Sequence, residues 1–566
     1  MSVSSDTDAY AENQDSQIEP NPGPLSYLNA DQRDGTTAAG KPSLTVDQAA
    51  AELNGGTPGW NPVMGVGYTV TYAYRASEPT TYPSDISGFS RFSAAQINQT
   101  ELALKAWADV ANIHFTRVGA GTGVDLAYSD NASMLFGNYA SGEAGSAAFG
   151  YYPGNLDFSA NSGDLWVNST LSYNQSPTVG SYGGMVLIHE LGHTIGLGHP
   201  SDYNANPATP PTYAADASYY EDSRQYTVMS YFAGSNTGAN LPGYSAAPLL
   251  DDIAAIQQIY GANMTTRTGD TVYGFHSNAD RPWFILTTNA SPAQFAVWDA
   301  GGNDTFDFSG YLSSQVIDLR PGFFSDVGGY AGNVVIAMGT AIENAIGGYG
   351  ADNITGNDLD NALNGMSGDD TIHGGAGNDT ISGGDGAGYL RGDAGNDVIQ
   401  GGFGFDDING NMGADTCNGG DGNDWVVGGR DNDLLSGDNG DDIVYGNMGD
   451  DTCLGGTGAD LIRGGQGNDS ISGGTGNDWL SGDRGDDTLM GGVGADTFHS
   501  FGDAGIDRIL DFSRSAGDAI VLDAGTTYVV AQVGSDTVIS LGGGGQIVLV
   551  GVQASSLTGT WLSFMS

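Results

Sequence analysis

From Gly347 to His499 the chain divides into 17 consecutive nonapeptides without an insertion. Gly374-Gly375-Ala376-Gly377-Asn378-Asp379-Thr380-Ile381-Ser382 is one of them. Position 1 is Gly throughout; position 4 is Gly in 15 units, failing at Leu359 and Asp431; position 6 is Asp in 15, failing at Asn361 and Gly388. Position 8 is always apolar, from Ile354 to Phe498. The GGxGxD half needs backbone conformations that favour glycine and reads as a tight turn. The x-U-x half sets one inward apolar residue between two outward ones and reads as a three-residue strand. Two units then make one 18-residue turn of a parallel β-roll, giving about 8.5 turns and a length of roughly 40 Å.

Such a roll has a thin core, one apolar side chain per unit, and it stacks carboxylates in rows. Repulsion within those rows predicts that the array folds only with a counter-cation. Calcium fits, because it takes six to eight oxygens and accepts carbonyls beside carboxylates. The candidate ligands are Asp352, Asp370, Asp379, Asp397, Asp406, Asp415, Asp424, Asp433, Asp442, Asp451, Asp460, Asp469, Asp478, Asp487 and Asp496. Gly301 and Asp304 join them, from a repeat-like element at Trp298–Phe306 that is out of register with the array. Composition agrees: 67 acidic residues, 58 of them Asp, face 16 basic ones, for a net charge of −51. Asp suits a tight turn because its carboxylate stays near the backbone. No basic stripe exists to neutralise phosphates, so a nucleic-acid binder is excluded. A hydrophobic fraction of 39% is too rich for a disordered acidic tract. Cys417 and Cys453 occupy position 8 and read as core residues, about 9–10 Å apart along one face and too far for a disulfide.

The remaining organisation follows from composition shifts. Residues 1–40 are polar and read as a prosegment or flexible N-terminus outside the first globular domain. Residues 41–262 read as an α/β or α+β domain. Tyr68–Tyr74 alternates like a strand, Ser93-x-x-Gln96 and Thr45-x-x-Gln48 are capping boxes, and Leu249–Tyr260 is a further helix. Residues 263–346 form a connecting β region that starts the roll, 347–499 are the roll, and 500–566 are a β-rich cap. No hydrophobic run reaches the ~18 residues needed to span a membrane. The polar stretch Met1–Pro22 lacks the pattern of a secretory signal.

The chemistry is concentrated in His189-Glu190-Leu191-Gly192-His193-Thr194-Ile195-Gly196-Leu197-Gly198-His199. On a helix, His189 and His193 lie on one face and can share one metal. Glu190 can reach a water held at that metal, and Gly196 lets the chain reverse so that His199 returns as third ligand. Three neutral imidazoles with an open position describe a catalytic zinc site. Such a site activates water and polarises a carbonyl, with Glu190 as the general base. His114, His276, His373 and His499 have no such company.

Thirty residues beyond His199 stands Met229, within Tyr226-Thr227-Val228-Met229-Ser230-Tyr231. HExxHxxGxxH followed by a Met-containing turn resembles the metzincin zinc endopeptidases, and the joined calcium repeats narrow the resemblance to the serralysins. It continues in Tyr151–Asn155, Glu221–Gln225, Asp251–Gln257 and Tyr260–Arg267, and covers roughly residues 41–500. The resemblance implies a multidomain protein: a metzincin-like catalytic domain, a calcium-bound parallel β-roll solenoid and a β-rich cap. It implies one catalytic zinc and several structural calcium ions, with Met229 as a floor beneath the zinc. Tyr231 would be a weak further zinc ligand that swings away to bind the oxyanion, and the substrate would lie extended along Ser146–Tyr151.

The resemblance further implies a secreted, extracellular bacterial zymogen, a monomer. It would be exported by type I secretion machinery that reads the C-terminus. Its partners would be protein or peptide substrates and a small protein inhibitor. Two other readings compete: a calcium-dependent surface or S-layer-like structural protein with a vestigial metal site, and a zinc hydrolase acting on something other than peptides.

Overall fold

The computed structural model describes residues 27–33, 35, 37–82, 86–119, 126–142, 146–154, 161–203 and 209–565. Residues 1–26 of the N-terminal stretch and Asn155 lie outside the described residues. The chain forms two compact units, one of Met1–Asp304 with Arg320–Ile342, the other of Thr305–Leu319 with Glu343–Ser566. The stretch 263–346, expected as one connecting region, is therefore shared between the two.

The first unit is built on a five-stranded sheet. Its order is Ile113–Arg117, Tyr68–Tyr74, Met134–Tyr139, Leu165–Asn168 and Ala148–Gly150. The first four strands are parallel, and the short last one runs antiparallel along the edge. Tyr68–Tyr74 does not keep the simple alternation of its sequence: Tyr72, Ala73 and Tyr74 are all buried. That strand is central, and its second half is covered on both faces.

Helix Ala94–Val110 starts at the Ser93 capping box, in which Ser93 Oγ accepts from Gln96 N at 3.2 Å and Gln96 Oε1 accepts from Ser93 N at 2.8 Å. Thr45 and Gln48 open helix Val46–Asn54 in the same way. Helix Leu250–Tyr260 packs on Val46–Asn54, and Tyr182–Thr194 packs on Ala94–Val110. Trp107, Ile188, Leu191, Met229, Ile253 and Ile256 belong to one buried cluster among these elements.

Residues 27–33 are not a detached leader; they pack into this unit. Tyr226 Oη accepts from Leu28 N at 2.8 Å, and Asn29 Oδ1 accepts from Phe324 N at 2.9 Å. Arg33 is buried, and its guanidinium donates to both Asp251 oxygens, at 2.8 and 3.0 Å. The polar composition that suggested a loose segment is here the composition of a buried ion pair.

In the second unit each nonapeptide contributes one strand, and successive strands alternate between two sheets. Residue i pairs in parallel with residue i+18, as in Ile372↔Leu390 and Ile381↔Ile399. The strands are longer than the expected three residues. Thr371–Ala376 and Thr380–Asp385 run over positions 7 to 9 and continue through positions 1 to 3 of the next unit. The two glycines keep the backbone extended across a kink, where position 2 takes a positive φ, 108° at Gly375. Where position 2 is not glycine the same φ is held mostly by Asp or Asn, as at Asp393 (71°) and Asn411 (76°). The tight turn is thereby confined to positions 4–6.

Every position-8 side chain is buried, including Cys417 and Cys453, which are free and sit two strands apart on either side of Leu435. The roll begins before the array, since Thr305–Asp307 pairs with Asn344–Gly348 and Val316–Asp318 with Asn353–Thr355. It ends in the cap, where Ile506–Ile509 extends one sheet and Ala519–Leu522 the other. An antiparallel meander of Tyr528–Val533, Asp536–Leu541 and Gln546–Leu549 follows.

Candidate active site and calcium rows

Helix Tyr182–Thr194 is capped by Ser181, whose side chain accepts from Gly184 N at 3.2 Å. It carries His189 and His193 into the core, 1% and 0% exposed. Leu197 N donates to Gly192 O at 2.9 Å, and Gly196 adopts φ 117°, which reverses the chain after the helix. His199 then returns to its two partners. One ligand atom from each of His189, His193 and His199 lies within 4.8 Å of the others.

The far ring nitrogens are already assigned. Nδ1 of His189 lies 2.8 Å from Val228 O, and Nδ1 of His193 lies 2.7 Å from Leu197 O. Each carbonyl fixes Nδ1 as the protonated nitrogen, leaving Nε2 as a lone-pair donor, the tautomer a metal requires. Three imidazoles, two buried and one half-buried, with one ligand atom each converging on a single position, fit zinc. Glu190 is buried in the same helix turn. The edge strand Ala148–Gly150 packs against it so closely that a Cβ at Gly150 would come within 2.6 Å of Glu190 O.

Met229 is buried beneath the helix, and a Cβ at Gly192 would come within 2.6 Å of its sulfur. The ring of Tyr231 lies 4.7 Å from that of His199 and 5.8 Å from that of His189. Its hydroxyl is buried and has no hydrogen-bond partner among the described residues. Three residues that hold this arrangement were given no role by the sequence. Asp252 accepts from Val228 N and Leu249 N, both at 2.8 Å, and from Thr227 Oγ1 at 2.5 Å, tying helix Leu250–Tyr260 to the Met229 turn. Asp222 accepts from Ser201, Tyr203 and Ser230, joining the loop after His199 to the segment before Tyr231. Tyr203 stacks on His199 at 5.5 Å and 16°. Burial pushes the Asp222 carboxyl up to about 6 and that of Asp252 up to about 7. The signals available were the place of Asp252 three residues after Leu249 at a helix start, and the resemblance of the segments Glu221–Gln225 and Asp251–Gln257; for Tyr203 there was none. His373 pairs with Asp393, and His499 stacks on Trp479, both within the second unit.

The repeat aspartates share one geometry. Oδ1 of each accepts the amide 18 residues earlier, as Asp397 does from Asp379, Asp424 from Asp406 and Asp487 from Asp469, at 2.8, 2.9 and 2.8 Å. Oδ2 of Asp370, Asp379, Asp397, Asp406, Asp415, Asp424, Asp433, Asp442, Asp451, Asp460, Asp469, Asp478 and Asp487 is buried with no hydrogen-bond partner among the described residues. It occupies the space a Cβ would take at the position-1 glycine of its own unit, as at Gly401 beside Asp406. A row of orphaned buried carboxylate oxygens beside glycine carbonyls is a donor set for a hard, oxygen-seeking cation.

Asp352 differs from that row, because both of its oxygens accept amides, from Gln315 and Gly348. Asp496 also accepts an amide, from Asp478. Asp304 is buried and accepts from Thr271 N at 2.7 Å, while Gly301 N donates to Asp299 Oδ1 at 3.0 Å.

Sequence comparison agrees with this geometry. Residues 80–219 match the family profile described as Matrixin, and residues 262–561 match that described as Peptidase M10 serralysin C terminal. The chain is 46% identical over 347 residues to "Metalloprotease AprA" of Pseudomonas entomophila (strain L48), covering 60% of this chain and 69% of the relative. It is 47% identical over 331 residues to "Serralysin G" of Dickeya chrysanthemi, covering 57% and 67%. The chain belongs to the serralysin family. As a serralysin it is a metalloendopeptidase, of a zinc-dependent family, with a matrixin catalytic domain followed by a parallel β-solenoid. No helix among the described residues is long and apolar enough to cross a membrane.

Proposed function

We propose that this serralysin is a secreted, extracellular endopeptidase that cleaves proteins, with Glu190 as general base and with repeats that fold on calcium. The observation that carries the reading is the convergence of the three imidazoles within 4.8 Å, with Glu190 buried in the same helix turn. His189, His193 and His199 would hold the zinc, which when bound supplies Lewis-acid polarisation and brings the pKa of water toward ~7. Glu190 takes the proton of the attacking water on its carboxylate and delivers it to the leaving amide nitrogen. Tyr231, whose hydroxyl has no hydrogen-bond partner among the described residues, donates to the oxygen that gains charge.

The substrate lies extended along Ser146–Tyr151, whose strand Ala148–Gly150 is the edge of the sheet, and adds to it as a further strand. Asp370 to Asp487 and the neighbouring glycine carbonyls would hold calcium. Calcium is scarce in cytosol and plentiful outside, so the roll would form after export by a channel that reads the C-terminus. The family assignment and the intact Glu190 weigh against a structural surface protein with a vestigial site.

Glu190→Gln tests the assignment. It should bind zinc and fold normally while kcat falls by at least ~100-fold. Near-full activity in a zinc-loaded variant would remove Glu190 from its role.

A further inference from the structure

Two acidic residues stand side by side at the start of helix Leu250–Tyr260, both 0% exposed. They have different partners. Asp252 holds the Met229 turn through Thr227 Oγ1 and Val228 N. Val228 O in turn holds Nδ1 of His189 at 2.8 Å. Asp251 points the other way, to Arg33, in a two-bond pair. Arg33 is 1% exposed. Its Nε also donates to Leu44 O at 2.8 Å and lies 3.7 Å from Glu221 Oε1. Glu221 is 0% exposed and holds the strand-like segment at Ser43 and Leu44.

One guanidinium therefore serves two buried carboxylates, and a third stands next in sequence. Its face covers the ring of Tyr226 at 5.1 Å, and the hydroxyl of Tyr226 bonds the backbone of Leu28 in both directions, at 2.8 and 3.0 Å. Segment 27–33 thus grips both flanks of the Met229 turn: Tyr226 on one side, Asp251 and its neighbour Asp252 on the other.

We infer that residues 27–33 are a built-in strap of the catalytic unit, and that Arg33 is a positioning residue that holds the Met229 turn, and through Val228 the ring of His189, in register. This rests on the reading of His189 as a metal ligand. It also places any maturation cleavage upstream of Tyr27. The physical reason is charge. Asp251 and Asp252 are adjacent and buried, and removing the cation leaves two like charges with no solvent to separate them. The relief available is a shift of helix Leu250–Tyr260 at its first turn, where Asp252 grips the turn beneath the histidines. An arginine does this where a lysine would not, since the planar fork meets both Asp251 oxygens while Nε reaches Leu44.

The test uses the full chain with Arg33→Met, Arg33→Lys and Arg33→Met/Asp251→Asn, read by steady-state kinetics and by the visible absorption of cobalt-loaded protein. Arg33→Met should lower kcat by about 10- to 100-fold with KM within about 3-fold, and should change the cobalt spectrum at full metal loading. Arg33→Lys should fold and lose about 3- to 10-fold in kcat. The double variant removes both charges of the pair and should recover most of the loss together with the spectrum. A residue that merely anchors the segment would lower the melting temperature and leave kcat and the spectrum alone.

Wild-type kcat and cobalt spectrum in Arg33→Lys and in Arg33→Met would overturn the inference; where Arg33→Met does not fold, the wild-type result in Arg33→Lys does so alone. Glu190→Gln is the reference that separates the two readings. Loss of activity there with an unchanged spectrum keeps the site assignment even if the Arg33 variants are silent. Activity there removes Glu190 from its role, while failure of the protein to bind cobalt at all removes the reading of His189 as a ligand.

Discussion

The two units bury aspartates in opposite ways. In the catalytic unit Asp164, Asp222, Asp251 and Asp252, all buried, are each met by protein groups. Asp164 takes Arg75 and Leu135 N, Asp222 takes three hydroxyls, Asp251 takes Arg33, and Asp252 takes two amides and a hydroxyl. In the roll each position-6 aspartate from Asp370 to Asp487 is met by one amide, and its second oxygen is buried with no hydrogen-bond partner among the described residues. The core of the catalytic unit includes Trp107, Trp166, Tyr74 and Tyr139, whereas each nonapeptide of the roll offers one side chain such as Ile381.

Magnitudes decide what that difference means. Burying one Ile contributes ~1.5–3 kcal/mol. The effective cost of burying an uncompensated ion is several kcal/mol. Per nonapeptide the second offsets the first, so the roll cannot stand on its apolar stack. The catalytic unit meets its carboxylates from within, whereas on the proposed calcium reading the roll takes its counter-charges from outside the chain.

The comparison breaks most visibly on removal of calcium. With a calcium-selective chelator at neutral pH, amides of strands 371–499 should lose at least ~10³-fold of their hydrogen-exchange protection, while helix Ala94–Val110 keeps its own. Equal protection in both regions would end the contrast. Protons should stand in for the ion. Asp379, Asp406, Asp415, Asp433 and Asp469 are pushed up to about 7 in the folded roll from an ordinary 3.8 by burial. A raised folded value favours the folded state when the group is protonated. The calcium-free roll should therefore be folded below about 4 and lose that stability as pH rises through about 7. Circular dichroism across that range reads it, and an apo roll that melts on acidification would contradict the assignment.

Within the catalytic unit, Tyr231→Phe should cost on the order of 10²-fold in kcat with little change in KM, and leave the roll untouched. An unchanged kcat would make Tyr231 a packing residue. The smallest effect belongs to Gly388, the one gap in a row that runs from Asp370 to Asp406. Its amide already donates to Asp406 Oδ1 at 2.7 Å, as the aspartates do, so Gly388→Asp adds a ligand to a ready backbone. The calcium midpoint for folding should fall by about 2-fold, and a rise would show that the gap is required.

Local periodicity made much of this legible in the sequence. The i, i+4 spacing of His189 and His193, the reversal at Gly196, the Ser93 and Thr45 caps and the nine-residue register all lie within a few residues of their own explanation. The parallel pairing of i with i+18 followed from two units per turn. The strand lengths did not follow, because glycine scores as a turn former while here it continues an extended backbone through a kink at Gly375. The supports of the site were also hidden. Arg33 and Asp251 are 218 residues apart, and Tyr203 and Asp222 meet only once the loops are folded. No periodicity marks a pair that occurs once, and the polar segment around Arg33 looks, as sequence, like any solvated leader.

The direction of the aspartate bonds along the roll has one more consequence. Each Oδ1 reaches back to an amide 18 residues earlier and never forward, so the stack is polar: one end offers carboxylates, the other offers bare amides. Two such ends are complementary surfaces on the same molecule, the arrangement that builds open filaments from identical copies. This chain plugs both. At the start Gln315 N occupies Asp352 Oδ1, and at the finish Asp518 Oδ1 accepts Asp496 N at 3.2 Å. The segments around residues 315 and 518 are chain terminators in the polymer sense. Deleting either should uncover one end of the row, carboxylates at the start or amides at the finish, for a further strand to meet.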